Sequence, residues 1–524
     1  MSDSQSGYYA LLVCYLVVTG ILAAYGIHRY QLVYLYYKHR RNLPRRSASF
    51  AQLPRVTIQL PMFNERFVAE RVIDHTCAID YPRELLEIQV LDDSTDDTTE
   101  IADRVVRRWR DAGFNIRLIH RENRAGFKAG ALDNGLGQTD SQFILIFDSD
   151  FIPPRNILRE TIHYFTDPRV GMVQARWEHL NRDQSLLTRT QAIMLDGHFV
   201  IEHTARNRSG RFMSFNGTAG MWRRECITDA GGWQHDTLTE DLDLSYRAQM
   251  KGWRFHFLKD LVSPAELPPE MLAFKAQQAR WAKGGAQTAR KLLPRILGSR
   301  LPAKVKWEAF FHLTSCTSYV WMVLLTLLMF PVLYLKMSLF QDDMLGRALF
   351  DGSLLLLATC SAGTFYVASQ REIFKTWADS IKYMPFLMAL GIGVSLSNAI
   401  AALQGFFGAP SEFVRTPKFG VMQPGDESWK QKVGRERRRG NRYWLPLAEF
   451  AFGVYLAACC ALCYVNGRIT IGIPFLLLFM TGYFYVSLLS LYGIYLSNRA
   501  APRLPATTRP TQAAVTVPSA QSRA

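Results

Sequence analysis

Between residues 92 and 281, four clusters of side chains have the types and spacing for chemistry: Asp92-Asp93, Asp148-Ser149-Asp150, Thr239-Glu240-Asp241 and Gln277-Gln278-Ala279-Arg280-Trp281. Asp148 and Asp150 close an apolar run, and alternation along a strand places residues i and i+2 on one face. Two such hard oxygens suit a divalent cation that holds a diphosphate and neutralises its charge as it leaves. A further carboxylate within reach of a hydroxyl supplies a general base. Trp281 offers a flat surface for a sugar ring, and Arg280 or Gln277 suits phosphate or hydroxyl groups. Each cluster also has a plain structural reading. Asp92 and Asp93 read as turn residues before a helix capped by Thr95 or Asp96. Thr239 reads as a helix cap followed by acids in the first turn, and Arg280 with Trp281 as a membrane-interface anchor.

The elements that must position these groups alternate. Val56-Leu60, Glu87-Leu91, Ile116-Ile119, Phe143-Phe147 and Val170-Gln174 read as strands, with Glu65-Cys77, Asp97-Ala112, Gly126-Gly135 and Arg155-Phe165 as helices between them. That order predicts an α/β domain with a mostly parallel sheet covered on both faces. Ligands of such sheets bind beyond the carboxyl ends of the strands, where Asp92, Asp93, Asp148 and Asp150 fall. An amphipathic helix over Pro269 to Ala289 carries Gln277, Arg280 and Trp281 on one face.

Apolar residues make up 48% of the 524 residues, and they are concentrated in blocks. Ala10-Ile27, His312-Leu335, Ser353-Ser369, Ala448-Val465 and Ile471-Tyr495 each approach the roughly 20 residues that cross a bilayer. Met384-Phe407 carries Pro385, Gly391, Gly393 and Asn398 and reads as a helix in the interface or dipping into the bilayer. Basic residues follow the first apolar block instead of preceding it, so it reads as an anchor and not as a cleaved signal. The positive-inside rule then predicts an outside amino terminus and a cytoplasmic polar region. The net charge of +16 lies largely in Arg29-Arg46 and Lys430-Arg442 beside apolar blocks, which points to anionic lipid headgroups and away from nucleic acid. Eight cysteines show no metal-ligand spacing. The tail after Asn498, rich in Pro, Thr, Ala and Arg, is predicted to be disordered.

The clusters D-D, D-x-D, T-E-D and Q-x-x-R-W, in this order, resemble the signature of family 2 glycosyltransferases, especially the processive branch of cellulose, mannan, curdlan and hyaluronan synthases. The resemblance runs from about Val56 to Leu496 and implies a nucleotide-sugar domain of the GT-A fold. By it, Asn64, Glu65 and Asp92 or Asp93 contact the base and ribose. Lys128, in Arg124-Ala125-Gly126-Phe127-Lys128-Ala129-Gly130, and Asp148, Gln277 and Arg280 approach the donor. Asp148 and Asp150 hold Mg2+ or Mn2+. Asp241, beside Glu240, is the catalytic base, while Asn216, Gly217, Thr218 and Trp281 shape the acceptor site. Phe413-Val414-Arg415-Thr416-Pro417-Lys418 is similar to the gating motif F-x-V-T-x-K, with Thr416 and Lys418 retained as donor contacts. Arg415 and Pro417 depart from that motif.

The implied protein is a multi-pass transferase of the plasma (inner) membrane with a cytoplasmic catalytic domain. Its expected division is 1–41 first transmembrane helix and basic flank, 42–306 GT-A domain, 307–380 two transmembrane helices, 381–447 interfacial helix and gating loop, 448–497 two further transmembrane helices, and 498–524 tail. It would transfer hexosyl units from a UDP- or GDP-sugar to a growing glycan with inversion, and export the product. Single transfer to a membrane lipid remains the alternative acceptor chemistry.

Overall fold

The computed structural model describes residues 3–339, 344–408, 413, 415–422, 425–433, 443–465 and 473–499. Val414, the basic run from Arg435 to Arg442 and the tail from residue 500 lie outside the described residues.

A seven-stranded mixed sheet forms the polar domain: β1 (Val56–Met62), β2 (Leu86–Asp92), β3 (Ile116–His120), β4 (Phe143–Ile146), β5 (Val170–His179), β6 (Gly220–Arg223) and β7 (Arg254–Ala265), in the spatial order β3-β2-β1-β4-β6-β5-β7. β1 to β4 pair in parallel, and only β6 runs against its neighbours β4 and β5. The five anticipated strands are present. β6 and β7 were not anticipated, and β5 continues to His179 beside β7. Along β1, Val56, Ile58 and Leu60 pack under the helix Ala69–Cys77 in one apolar core. Thr57 and Gln59 point to the other face, where Gln59 donates to Gln89 at 3.0 Å. Gly135 lies close over that pair, since a Cβ there would come within 2.6 Å of Gln59 Nε2. The second core, on this face, gathers Leu132, Ile144, Trp222 and Phe257.

Three anticipated helices differ in extent. The first begins only at Ala69, and Arg155-Phe165 resolves into Ile157–Thr161 followed by a 3-10 turn, Ile162–Thr166. The amphipathic helix runs from Met271 to Gly298, and Glu270 caps it by accepting from the Ala273 N–H at 3.1 Å.

Four helices among the described residues are long and apolar enough to cross a membrane: Tyr9–His39, Ala303–Val332, Trp444–Val465 and Ile473–Arg499. The expected segment Ser353-Ser369 belongs to a helix, Met344–Ile373, that packs beside the first. Trp377–Gly393 and Ser395–Phe407 form a pair bent by 44°, the geometry of a broken span or a re-entrant segment. Small residues permit its close packing: a Cβ on Gly393 would strike the Gly482 carbonyl, and one on Gly405 the Lys283 carbonyl at 2.5 Å.

The long helix Met271–Gly298 joins the two parts of the molecule. Its Lys275 donates to both oxygens of Glu449, at 2.6 and 2.7 Å, with both side chains nearly inaccessible to water. Removing one partner of such a pair strands a buried charge at a cost of about 3–5 kcal/mol, whereas replacing both with apolar groups of similar size is close to neutral. Lys275→Met is therefore expected to lower the thermal midpoint of the detergent-purified protein. Lys275→Met/Glu449→Leu should recover most of the loss, and an additive loss in the double variant would refute this account.

Candidate active site

The carboxyl ends of β1, β2 and β4 open into a cleft that is also lined by the helix Met271–Gly298 and by the segment around Thr416. Most of the candidate residues meet here: Glu65, Asp93, Lys128, Asp148 and Asp150 from the sheet side, Asn216, Gly217, Glu240 and Asp241 from the next wall, and Gln277, Arg280, Trp281, Thr416 and Lys418 opposite.

Three candidates stand behind the wall. Asn64, at φ +56°, accepts from the Thr95 N–H at 2.8 Å while its own N–H donates to the Ser94 hydroxyl at 2.8 Å, so it ties together the loops after β1 and β2. Asp92 is fully buried; it accepts from the Ser94 N–H and the Thr99 hydroxyl and pairs with the His120 ring at 2.8 Å. Thr218 is also fully buried, and its hydroxyl accepts from the Asp148 N–H at 2.9 Å. In this structure the hydrogen bonds of these three residues go to neighbouring segments, and they stand behind the residues that line the cleft. Of the acidic pair after β2, Asp93 is the one at the cleft, gripping Arg121 through two bonds of 2.6 and 2.7 Å. Asp96 does act as a turn cap, accepting from the Thr98 N–H at 3.0 Å.

Each carboxylate of the Asp148-Ser149-Asp150 motif carries a lysine. Lys128 bonds Asp148 at 2.5 Å and the Gly217 carbonyl at 2.8 Å, and Lys418 bonds Asp150. Burial works against the charge on Lys128, but Asp148, Glu240 and Asp241 outweigh it and hold its pKa above the ordinary lysine value. The same opposition, with Asp150 as the main partner, raises Lys418. The donor set fits a divalent ion: two adjacent hard carboxylates at a cleft whose lysines suit phosphate oxygens. A second group, Glu178, His179 and Asp196, brings three ligand-type side chains within 4.8 Å of one another. There the Arg182 guanidinium bonds Asp196 at 2.7 and 3.0 Å and Glu178 at 2.8 Å, as the lysines do at Asp148 and Asp150.

Asp241 lies in the first turn of the helix Glu240–Met250, with the Leu242 N–H donating to it at 2.8 Å. Thr239 occupies the cap position but does not cap, since its hydroxyl meets that of Thr288 at 3.2 Å instead. Burial, and then repulsion from Glu240, pushes the Asp241 carboxyl up to about 7 against the pull of Lys128; burial likewise raises Glu240. Gly217, at φ +79°, leaves room for this group, because a Cβ would lie 3.0 Å from Asp241 Oδ2 and 3.2 Å from Lys128 Nζ. On the opposite wall Arg280 stacks over Phe413, 4.7 Å from its ring centre. The Thr416 hydroxyl is buried and has no partner among the described residues. Arg124, over the Phe63 ring at 3.4 Å, together with Trp177, His179, Glu266 and Arg415, completes the lining. Of these five, Arg124 and Arg415 lie in segments that the family resemblance marks, whereas His179 and Glu266 belong to no motif.

A mixed α/β sheet with a D-x-D pair at its carboxyl edge and further acids in the same cleft defines a GT-A glycosyltransferase domain. The model of the family described as "Glycosyltransferase like family 2" matches residues 54–284. Glucomannan 4-beta-mannosyltransferase 2 of Arabidopsis thaliana is 34% identical over 467 residues, spanning 86% of this chain and 83% of that protein. Glucomannan 4-beta-mannosyltransferase 1 of Oryza sativa subsp. japonica is 42% identical over 252 residues, 47% of this chain and 48% of that one. Among solved structures, a mannosyltransferase of Pyrobaculum calidifontis in complex with GDP-Man and Mn2+ aligns at 20% identity and a TM-score of 0.48, covering 74% of this chain and 99% of that one. The chain belongs to the family 2 glycosyltransferases. It is a membrane-embedded β-glycosyltransferase of polysaccharide synthesis that uses a nucleotide sugar.

The separate placement of the two acids after β2 is testable. Asp92→Asn should lower stability by about 1–3 kcal/mol through loss of buried charge-assisted bonds, seen as an earlier thermal transition, while nucleotide affinity stays near that of the parent. A loss of nucleotide affinity without a loss of stability would place Asp92 in the cleft.

Proposed function

We propose that the protein transfers mannosyl units in β-1,4 linkage from a nucleotide-activated mannose to the end of a growing mannan-type polysaccharide, and passes the chain outward through its membrane helices. Sequence similarity to glucomannan 4-beta-mannosyltransferases over most of the chain supports the sugar and the linkage. Basic residues after the first membrane helix support a cytoplasmic catalytic domain at the plasma (inner) membrane.

The observation that carries the mechanism is the Asp241 carboxyl, held up to about 7 in a cleft shared with Lys128 and Asp148. Asp241 takes the proton from the acceptor hydroxyl, the freed oxygen attacks the anomeric carbon, and the nucleoside diphosphate leaves from the opposite face, which inverts the linkage. Lys128, Lys418 and the unpartnered Thr416 hydroxyl meet the diphosphate oxygens. A divalent ion, Mg2+ or Mn2+, held by Asp148 and Asp150 would supply charge neutralisation to the leaving group. Asp93 and Glu65 line the base and ribose end, and Gln277 and Arg280 border the donor. Asn216, Gly217 and Trp281 face the acceptor, whose ring stacks on the indole.

A base must be deprotonated to act, so turnover should rise with pH through about 7 and level off above it. Asp241→Asn should reduce turnover by about 10²- to 10⁴-fold while nucleotide binding persists; unchanged turnover would remove Asp241 from this role. Detergent-purified protein with Mg2+ or Mn2+ and a panel of GDP- and UDP-sugars is expected to form high-mass polymer from GDP-mannose. A product confined to a lipid extract and carrying one sugar would overturn the polymer reading.

A further inference from the structure

Just beyond Lys418, the chain is fastened by a residue outside all the motifs. Glu266, 3% exposed, accepts from the Phe419 N–H on one oxygen and the Gly420 N–H on the other, each at 2.9 Å, and Arg71 stands 3.9 Å from its second oxygen. The two peptide donors immediately follow Lys418, whose ammonium reaches Asp150. Phe419 is fully buried with Val421 and Val433, and Lys432 donates to the Phe419 carbonyl at 2.6 Å. Gly420, at φ +72°, lies so close to Phe67 that a Cβ would sit 2.9 Å from its carbonyl oxygen.

We propose that Glu266 is a positioning residue for the donor site: its carboxylate clamps the two peptide groups after Lys418 and so fixes that lysine where it meets the diphosphate of the nucleotide sugar. A buried carboxylate that receives two backbone donors is a strong and directional anchor. The segment around Thr416 therefore has a buried foot at Phe419–Val421, directly after the lysine that reaches Asp150. This inference rests on the glycosyltransferase reading of the cleft.

Binding of GDP and UDP to the detergent-purified full chain with Mg2+, measured by calorimetry, tests it without requiring turnover. Lys418→Ala and Glu266→Gln are each expected to weaken binding of the preferred nucleotide by about tenfold, the effect of losing one charge-assisted contact. Because Glu266 acts through Lys418, the Glu266→Gln/Lys418→Ala double variant should bind no more weakly than Lys418→Ala alone. Gly420→Ala, which disturbs the clamped backbone and leaves Glu266 in place, should reproduce the Glu266→Gln loss if that variant folds poorly. Multiplicative losses in the double variant, or parental affinity in Glu266→Gln and Gly420→Ala, would overturn the clamp. Failure of the parent protein to bind either nucleotide would overturn the glycosyltransferase reading itself, and the clamp with it.

Discussion

Four carboxylates, Asp148, Asp150, Glu240 and Asp241, are drawn into one cleft, and like charges so gathered repel. The fold holds them there with two lysines from distant parts of the sequence, Lys128 on Asp148 and Lys418 on Asp150. The balance is uneven by design of the backbone. Lys128 also bonds the Gly217 carbonyl and stands near Asp241, while Glu240 and Asp241 have no lysine of their own and respond by holding protons more tightly. In the proposed mechanism these same two lysines meet the oxygens of the nucleotide diphosphate. Charge complementarity with the donor is thus already present as internal ion pairing.

That arrangement has to be kept in register with the membrane part. The helix Met271–Gly298 presents Gln277, Arg280 and Trp281 to the cleft and, through Lys275, grips the membrane helix Trp444–Val465 at Glu449. Its other side receives the bent pair at Gly405, where the Lys283 carbonyl leaves no room for a side chain. Chemistry and membrane bundle therefore share one rigid element. Displacing the bundle by an ångström would displace Trp281 by a similar distance.

Much of this was legible in the sequence because it is local. Short apolar runs marked β1 to β5, and the acids placed at the ends of β2 and β4 marked the cleft. β6, only Gly220–Arg223, is too short for alternation to register, and its antiparallel pairing with β4 and β5 depends on contacts far away in sequence. Asp92 and Asp93 are adjacent and chemically identical, and only the folded chain decides which side of β2's end faces inward to His120 and which faces the cleft and Arg121. Thr218 illustrates the same point: next to a left-handed glycine, its side chain turns back to the Asp148 N–H. Residue type sets what a side chain can do, whereas the direction of one Cα–Cβ bond sets whom it serves.

The departures from the gating motif become intelligible in this light. Arg415 stands where the related motif has valine, and the structure sets it 3.6 Å from Glu65 on the opposite lip of the cleft. Pro417 fixes its own φ and removes one backbone donor directly before Lys418, while Glu266 takes up the next two. Phe413 is sandwiched near Arg280 and Arg124. An ion pair at one end, a restricted peptide in the middle and a buried two-point clamp at the other together set where Lys418 stands beside Asp150.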